Sequence, residues 1–567
     1  YLTMMDSWLY DETKPFIHIE AGDTFDELKK NARNGYFEKL IKEYLLDNNH
    51  KSIISLVPEY GLEKEKEQKE ADKLAEYKST LTNDELEELV KKTKELKEYQ
   101  DTPSSQEDLE KIPMLELSDI KREPAKDYND VKSVDGIKIV HHNIFTNKIA
   151  YINMSFDTKC VPDELIPYMG LLGSTLSLMD TKNYTYPELT NEININCGGL
   201  ATGTALYSDK VDFSKNTIVY EVKSKALYEK VPFVLGMMEE IMYNTRFDDY
   251  KRLKEIIARI KSRLEASLMG QGHSIAMLEC CAQFSESAYY SDILRGYKYY
   301  EFIKKLDEEF EQNKTQIVDK LNKLVGYIFN KDNVIVSLTA DDEGYDCFVK
   351  ALSAKSCNIK DEHYNTAVRS FIPVNVKTGY TSASQVQYVA RCGNFVKDGY
   401  KYTGALKVLK VIFSYDYLWI NVRVKGGAYG CMSGSSRNGD FYMVSYRDPN
   451  LEKTNDIYEG AADYIRNFDV SRRDMVKFII GTIGEIDAPL TPSAIGSRSF
   501  THYMCNCTED MLRKDREEVL DATVESIREL APLIESAVVQ NYLCVVGNQK
   551  QINEAADLFD EIKPLIG

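Results

Sequence analysis

The chain has 567 residues, too many for one hydrophobic core, and 43% of them are hydrophobic, with 21 Phe and 38 Tyr. Packed globular structure in several domains is therefore expected, and wholesale disorder is excluded. A formal net charge of −19 argues against nucleic acid as a partner, since phosphate binding needs clustered Lys and Arg, and no apolar run is long enough for a membrane span.

Residues 1 to 56 are helical in pattern, with Phe37, Leu40, Ile41, Tyr44 and Leu45 at helical spacing. The sequence opens on Tyr1, and Leu2 onward already has amphipathic character, the pattern of a piece of a longer polypeptide that closes a preceding domain. From Leu62 to Gln100 the chain is dense in Glu and Lys, interrupted by Ser79-Thr80-Leu81-Thr82-Asn83. Thr82 and Glu85 have the spacing of a capping box, and Leu86, Leu89, Val90 and Leu96 form a narrow apolar stripe beyond it. A long two-helix hairpin over residues 57–112 follows from this; a solvated charged linker has the same composition.

Two units then share an order of elements. In residues 113–360, Ile137–Val140 and Ile149–Phe156 read as strands and Pro162 to Met179 as a helix. Gly198-Gly199, a strand through Tyr207, a strand at Thr217–Val222 and a helix from Ala226 to Tyr243 come next. In residues 361–567, Val386–Ala390 reads as a strand and Gly404 to Tyr415 as a helix; Gly426-Gly427, the strand Asp440–Tyr446 and a helix from Thr454 to Phe468 follow. One spacing separates both the glycine pairs (198 and 426) and the helices after them (226 and 454), the mark of a duplication. Tyr250 to Leu268, Tyr300 to Gly326 and the strand Asn333–Leu338 complete the first unit. Arg472 to Ile486, the helical stretch Glu509 to Val538 and the strand Tyr542–Val546 complete the second. The expected class is α+β: antiparallel sheets with helices on one face, preceded by the helical hairpin.

Catalytic apparatus of the usual kinds is missing from the sequence. The seven histidines, at 18, 50, 141, 142, 273, 363 and 502, form neither HExxH nor HxxEH. His141-His142 falls at a predicted strand end, where a structural or exposed role is expected. The eleven cysteines include no CxxC pair, and neither Cys280-Cys281 nor Cys505-x-Cys507 has the partners of a zinc site, so reduced thiols are expected. No GxSxG, GxxxxGK[ST] or GxGxxG occurs.

The run from Trp419 to Thr454 stands out. Read as a strand, Trp419–Val424 places Trp419, Asn421 and Arg423 on one face. Gly426-Gly427 then permit a sharp turn or a close backbone approach, and Tyr429 follows at once. A guanidinium and a phenol there can hydrogen-bond a carbonyl that becomes an oxyanion. A hairpin turn with an arginine salt bridge would use the same residues.

R-x-x-G-G-A-Y-G followed by S-Y-R-D-P-N and a nearby threonine is similar to the C-terminal half of one branch of the pitrilysin-type metallopeptidases, peptidase family M16, subfamily C. That branch includes presequence proteases and falcilysin. Lys39–Pro58, the Glu/Lys hairpin and Ile112-Pro113-Met114-Leu115 through Asp119-Ile120 resemble the family in the same order. The resemblance implies four related domains in a two-bowl clamshell joined by a helical hinge. Here 1–56 would be the tail of the second domain, 57–112 the hinge, and 113–360 and 361–567 the third and fourth. It further implies a zinc-dependent oligopeptidase that encloses unfolded peptides. Arg423 and Tyr429 would then be catalytic, Gly426, Gly427 and Ala428 would contact substrate, and zinc would be held by the N-terminal half, with no metal in this chain. Alone, the chain would be inactive. A non-catalytic partner subunit of the same fold is the alternative. The compartment would be the cytoplasm of a bacterium or an organelle matrix in a eukaryote.

Overall fold

The structure is a computed structural model that describes residues 2–57, 59–102, 104–354 and 359–566. The chain divides into two units, Tyr1–Pro113 and Met114–Gly567.

The first unit is helical, with helices at Leu2–Trp8, Gly22–Ala32 and Tyr36–Leu40, the last continuing as a π-helix over Ile41–Leu46. Two long helices follow, Leu62–Thr80 and Asn83–Asp101. The expected capping box is present: the Thr82 hydroxyl accepts from the Glu85 N–H at 3.3 Å, and the Glu85 carboxylate accepts from the Thr82 N–H at 2.8 Å. It stops one helix and starts the next without tertiary help. Leu89, Val90 and Leu96 are exposed, and pairs such as Lys69–Glu65 and Lys92–Glu88 lie along the surface. Solvent screens such pairs, so these are two solvated helices rather than a core element.

The second unit holds two six-stranded sheets. The first contains β1 (Asp130–Val134), β2 (Ile137–Asn143), β3 (Ile149–Asp157), β4 (Leu200–Ser208), β5 (Asn216–Leu227) and β6 (Val334–Ala340), ordered β1-β2-β6-β3-β5-β4. The second contains β7 (Thr378–Ser382), β8 (Tyr388–Asn394), β9 (Gly430–Ser435), β10 (Asp440–Tyr446), β11 (Tyr542–Asn548) and β12 (Glu561–Pro564), ordered β12-β7-β11-β8-β10-β9. Without the outer strands β1 and β12 the two orders coincide, and in each the pair β2–β6 or β7–β11 is parallel while the rest of the shared ladder is antiparallel. Gly198-Gly199 precede β4 and Gly426-Gly427 precede β9, the same topological place.

The duplication is thus present, but the equal helix spacing is not. Pairing of β5 with β3 continues to Leu227, opposite Ile149, so the helix expected from Ala226 begins only at Val231, with Pro232 in its first turn. Its counterpart begins at Glu452 and breaks at Gly460 into Glu452–Glu459 and Ala461–Arg466. Tyr300 to Gly326 likewise resolves into Tyr297–Glu308 and Phe310–Ile328, and Glu509 to Val538 into three helices.

Each sheet lays one face on its own helices, forming two large cores. The opposite faces exchange helices between the repeats. Gly272–Ala282 of the first repeat packs on β8, β10 and β11; Pro492–Met504 of the second packs on β6 and β2. Strand alternation divides β8 accordingly, with Val389 in one core and Tyr388, Ala390 and Cys392 against the exchanged helix. Glycine makes both contacts possible: a Cβ on Gly272 would meet the Tyr388 ring at 2.2 Å, and one on Gly496 would meet the Thr339 hydroxyl at 1.9 Å.

His141 and His142 lie within β2, 1% and 0% exposed, which selects the structural of the two expected roles. His141 Nε2 bonds the Ala340 carbonyl at 3.0 Å. His142 Nδ1–H donates to the Tyr128 carbonyl, so its Nε2 accepts from the Ser337 hydroxyl at 2.9 Å. Burial pushes the His142 imidazole down to about 4 against the opposing pull of Tyr128. The unfolded chain, titrating near 6.5, binds more protons between these values. His142 therefore contributes stability that is fully present above about pH 6.5 and is lost as pH falls through about 4, roughly 3 kcal/mol in all. Urea unfolding of wild type and His142→Gln at pH 7.5 and 4.5 checks this. The wild type should lose more stability over the interval, and equal losses would refute it.

Candidate functional site

The segment Trp419–Val424, expected as a strand, is a π-helix that prolongs the Ala405–Ile412 helix through a further π segment, Phe413–Tyr417. The alternation of Ile420, Val422 and Val424 is misleading. Burial falls instead on Leu418 and Val422, four residues apart, which enter the second core, while Val424 is exposed. The Lys425 N–H closes the wide turn on the Ile420 carbonyl at 2.9 Å. This geometry puts Trp419 and Arg423 on one side, and the guanidinium lies over the indole 3.8 Å from its centroid.

The chain then reverses. The Gly427 N–H donates to the Arg423 carbonyl at 2.8 Å and the Ala428 N–H to the Val422 carbonyl at 3.1 Å. A Cβ on Gly426 would sit 2.4 Å from the Val422 oxygen, and Gly427 has a φ of 83°, so the turn requires both glycines. Ala428, 4% exposed, is buried in the core and anchors the turn. β9 follows, paired with β10, and the Tyr429 N–H is shared between the Tyr446 and Arg447 carbonyls at 3.1 and 3.3 Å. The Tyr429 side chain is 68% exposed and touches the ring of Tyr446 edge-on at 5.7 Å.

Ser445 to Asn450, noted in the sequence without a role, is a brace. Asp448 is fully buried; its carboxylate accepts from the Asn450 N–H at 2.9 Å and the Thr454 hydroxyl at 2.7 Å. Burial raises its pKa against these bonds. The Asp448 and Gln387 backbones exchange hydrogen bonds at 2.7 and 2.9 Å. Asn450 then donates through Nδ2 to the Gly426 carbonyl at 2.6 Å, which locks the glycine turn to the end of β10. Arg447 takes a φ of 49°, a strained value for a residue with a side chain.

Arg423 and Tyr429 therefore flank one turn without bonding each other. Among the described residues, the side chains of Arg423, Lys425, Tyr429 and Arg447 have no hydrogen-bond or ion-pair partner. In a chain of net charge −19, with surface cations paired elsewhere as at Lys410–Glu485 and Arg466–Glu535, unpaired cations beside an exposed phenol form a local positive rim. The Asp448 carboxylate, buried and bonded to Asn450 and Thr454, forms no ion pair with these cations, and its burial disfavours the charged form. Arg423 also lies near the Cys431 thiol on β9, which burial pushes up to about 11 against the pull of that cation. Such a rim suits a carbonyl oxygen gaining negative charge.

Among the described residues, the histidines and carboxylates offer zinc no enclosed site. His141 and His142 are committed to internal bonds. Among the described residues, one group has donors at ligand spacing, Asp332, Asp361 and His363, and all three are exposed.

The paired α/β units are the fold of M16 peptidase domains. The peptidase M16 inactive domain from Pseudomonas fluorescens superposes with a TM-score of 0.51 at 15% identity, covering 77% of this chain and 98% of that one. A protease from Helicobacter pylori gives 0.52 at 14%, covering 74% and 99%. Two sequence models of the family match: the domain associated with peptidase family M16, subfamily C, at residues 56–306, and the PreP C-terminal domain at residues 379–548. Protein HypA of Clostridium perfringens is 39% identical over all of this chain and 58% of its own length. Presequence protease 1, chloroplastic/mitochondrial, of Arabidopsis thaliana is 29% identical over all of this chain and 53% of its own. The chain belongs to peptidase family M16, subfamily C, of the pitrilysin superfamily and corresponds to the C-terminal half of its members. It spans about half the length of these curated relatives. No helix among the described residues is long and apolar enough to cross a membrane.

Proposed function

We propose that this chain is the C-terminal half of a zinc-dependent oligopeptidase that encloses and degrades unfolded peptides. Its boundaries follow the sequence reading: residues 1–56 end a preceding domain, 57–112 form the hinge, and 113–360 and 361–567 are the third and fourth domains. The observation that carries the reading is the unpaired Arg423 and exposed Tyr429 on either side of the braced glycine turn. In this role Arg423 holds the peptide backbone and Tyr429 donates a hydrogen bond to the oxyanion of the tetrahedral intermediate. Gly426 and Gly427 present a low backbone surface over which a peptide can pass. The metal and its base belong to the N-terminal half, where zinc supplies the activated water; no step is assigned to it within this chain.

The test compares the full-length protein with this chain alone on an unstructured fluorogenic peptide. Full-length protein should cleave it, lose activity to a chelator and regain it with zinc, while the chain alone shows no cleavage. Cleavage by the chain alone would overturn the division of labour, and an inert full-length protein would favour a non-catalytic subunit.

A further inference from the structure

Little holds the Tyr429 side chain. Its backbone is fixed by the bonds to Tyr446 and Arg447, but the phenol has no hydrogen bond, and its recorded ring contact is with Tyr446. A donor that must meet an oxyanion within a few tenths of an ångström needs its rotamer set by packing. The Tyr446 ring is the surface that does so. It is hemmed in by Tyr388 at 5.7 Å, by the edge of the His273 imidazole at 4.9 Å and by the Arg447 guanidinium at 5.6 Å.

His273 reaches this cluster from the other repeat. It is the second residue of the exchanged helix Gly272–Ala282, and Gly272 brings that helix within contact of Tyr388. The imidazole lies 6.2 Å from the Tyr388 ring as well. Its Nδ1 is buried without a hydrogen-bond partner, while Nε2 lies 3.2 Å from the Ser274 hydroxyl. Burial lowers its pKa and so favours the neutral ring. His273 thus offers the cluster an aromatic shape rather than a charge.

We propose that His273 is a positioning residue for Tyr429, acting through the ring of Tyr446, so that the candidate site is completed by a side chain from the first repeat. The proposal rests on the assignment of Tyr429 as an oxyanion donor. In this arrangement the exchanged helix, besides closing a core, orients the phenol from behind.

The test is a double-mutant cycle in the full-length protein, with kcat and KM measured on an unstructured peptide. His273→Leu should lower kcat about three- to tenfold with KM changed less than about twofold, as expected for a misaligned donor. His273→Phe, which keeps the ring, should restore most of the rate. In a Tyr429→Phe background, His273→Leu should cost less than about twofold further, because the group it positions is gone. An equal loss in both backgrounds would reduce His273 to a structural role and overturn the proposal, as would wild-type kcat in a folded His273→Leu protein. Should that variant fail to fold, Tyr446→Leu is read in the same cycle with the same criteria. Wild-type turnover by Tyr429→Phe would instead remove the assignment beneath the proposal. An impaired Tyr429→Phe beside an unimpaired His273→Leu removes the proposal alone.

Discussion

Replacing Tyr429 with phenylalanine in the full-length protein should lower kcat for peptide hydrolysis at least about tenfold, in line with the loss of an oxyanion donor. The substitution removes one oxygen. That oxygen has no hydrogen-bond partner among the described residues, and the ring that packs on Tyr446 is retained, so the melting temperature should stay unchanged. KM should move little, because the bond is strongest when charge has developed on the carbonyl oxygen. Arg423→Ala should act differently, raising KM as well, since a permanent cation also holds the ground-state peptide. Unaltered turnover by the phenylalanine variant would end the role assigned to Tyr429.

Replacing Asp448 with alanine should destabilise the second repeat by about 3 kcal/mol or more. The variant leaves the Asn450 N–H and the Thr454 hydroxyl without their buried acceptor, and it frees Asn450 from the geometry that clamps the Gly426 carbonyl. Asp448→Asn should be nearly neutral. An amide can accept from the Asn450 N–H and donate to the Thr454 hydroxyl, and it avoids the cost of a buried charge that raises the pKa of the native carboxyl. Urea unfolding ranks the two variants, and amide exchange at residues 426–429 should quicken in the alanine variant alone. An alanine variant as stable as wild type would show that the brace contributes nothing.

What is legible in the sequence is local or periodic. The Thr82–Glu85 box is visible because its partners lie one turn apart, and Asp440–Tyr446 because a short apolar run, Phe441 to Val444, follows a turn. The glycine pairs are visible as a repeat, and they do occupy equivalent places before β4 and β9. Trp419–Val424 misleads because period two in its β-branched residues mimics a strand, whereas Leu418 and Val422 choose the helical burial through the core they enter. β9, Gly-Cys-Met-Ser-Gly-Ser, has few strand-forming residues; it is a strand because β10 offers it a ladder. The helix exchange leaves no trace in either repeat alone. His273 therefore passes through the histidine census without a role, for nothing near it in the chain hints at Tyr446. Arg423 and Tyr429 are found by chemistry and resemblance, and the brace beneath them only by its hydrogen bonds.

The π-helix at Trp419–Val424 makes the two sides of the site separately adjustable by insertion and deletion. Tyr429 is indexed to β10 by ladder bonds and would keep its place if the helix before it changed length by one residue. Arg423 is indexed to the helix, where one residue more or less turns a side chain by about 100° about the axis. The wide turn stores one surplus residue there, which a single-codon deletion would remove, converting the segment to ordinary α-helix. The helix preceding the deletion would then rotate relative to the braced turn, while the phenol stayed fixed. The side chains that the helix presents beside the phenol can thus be changed by length alone, without touching the sheet.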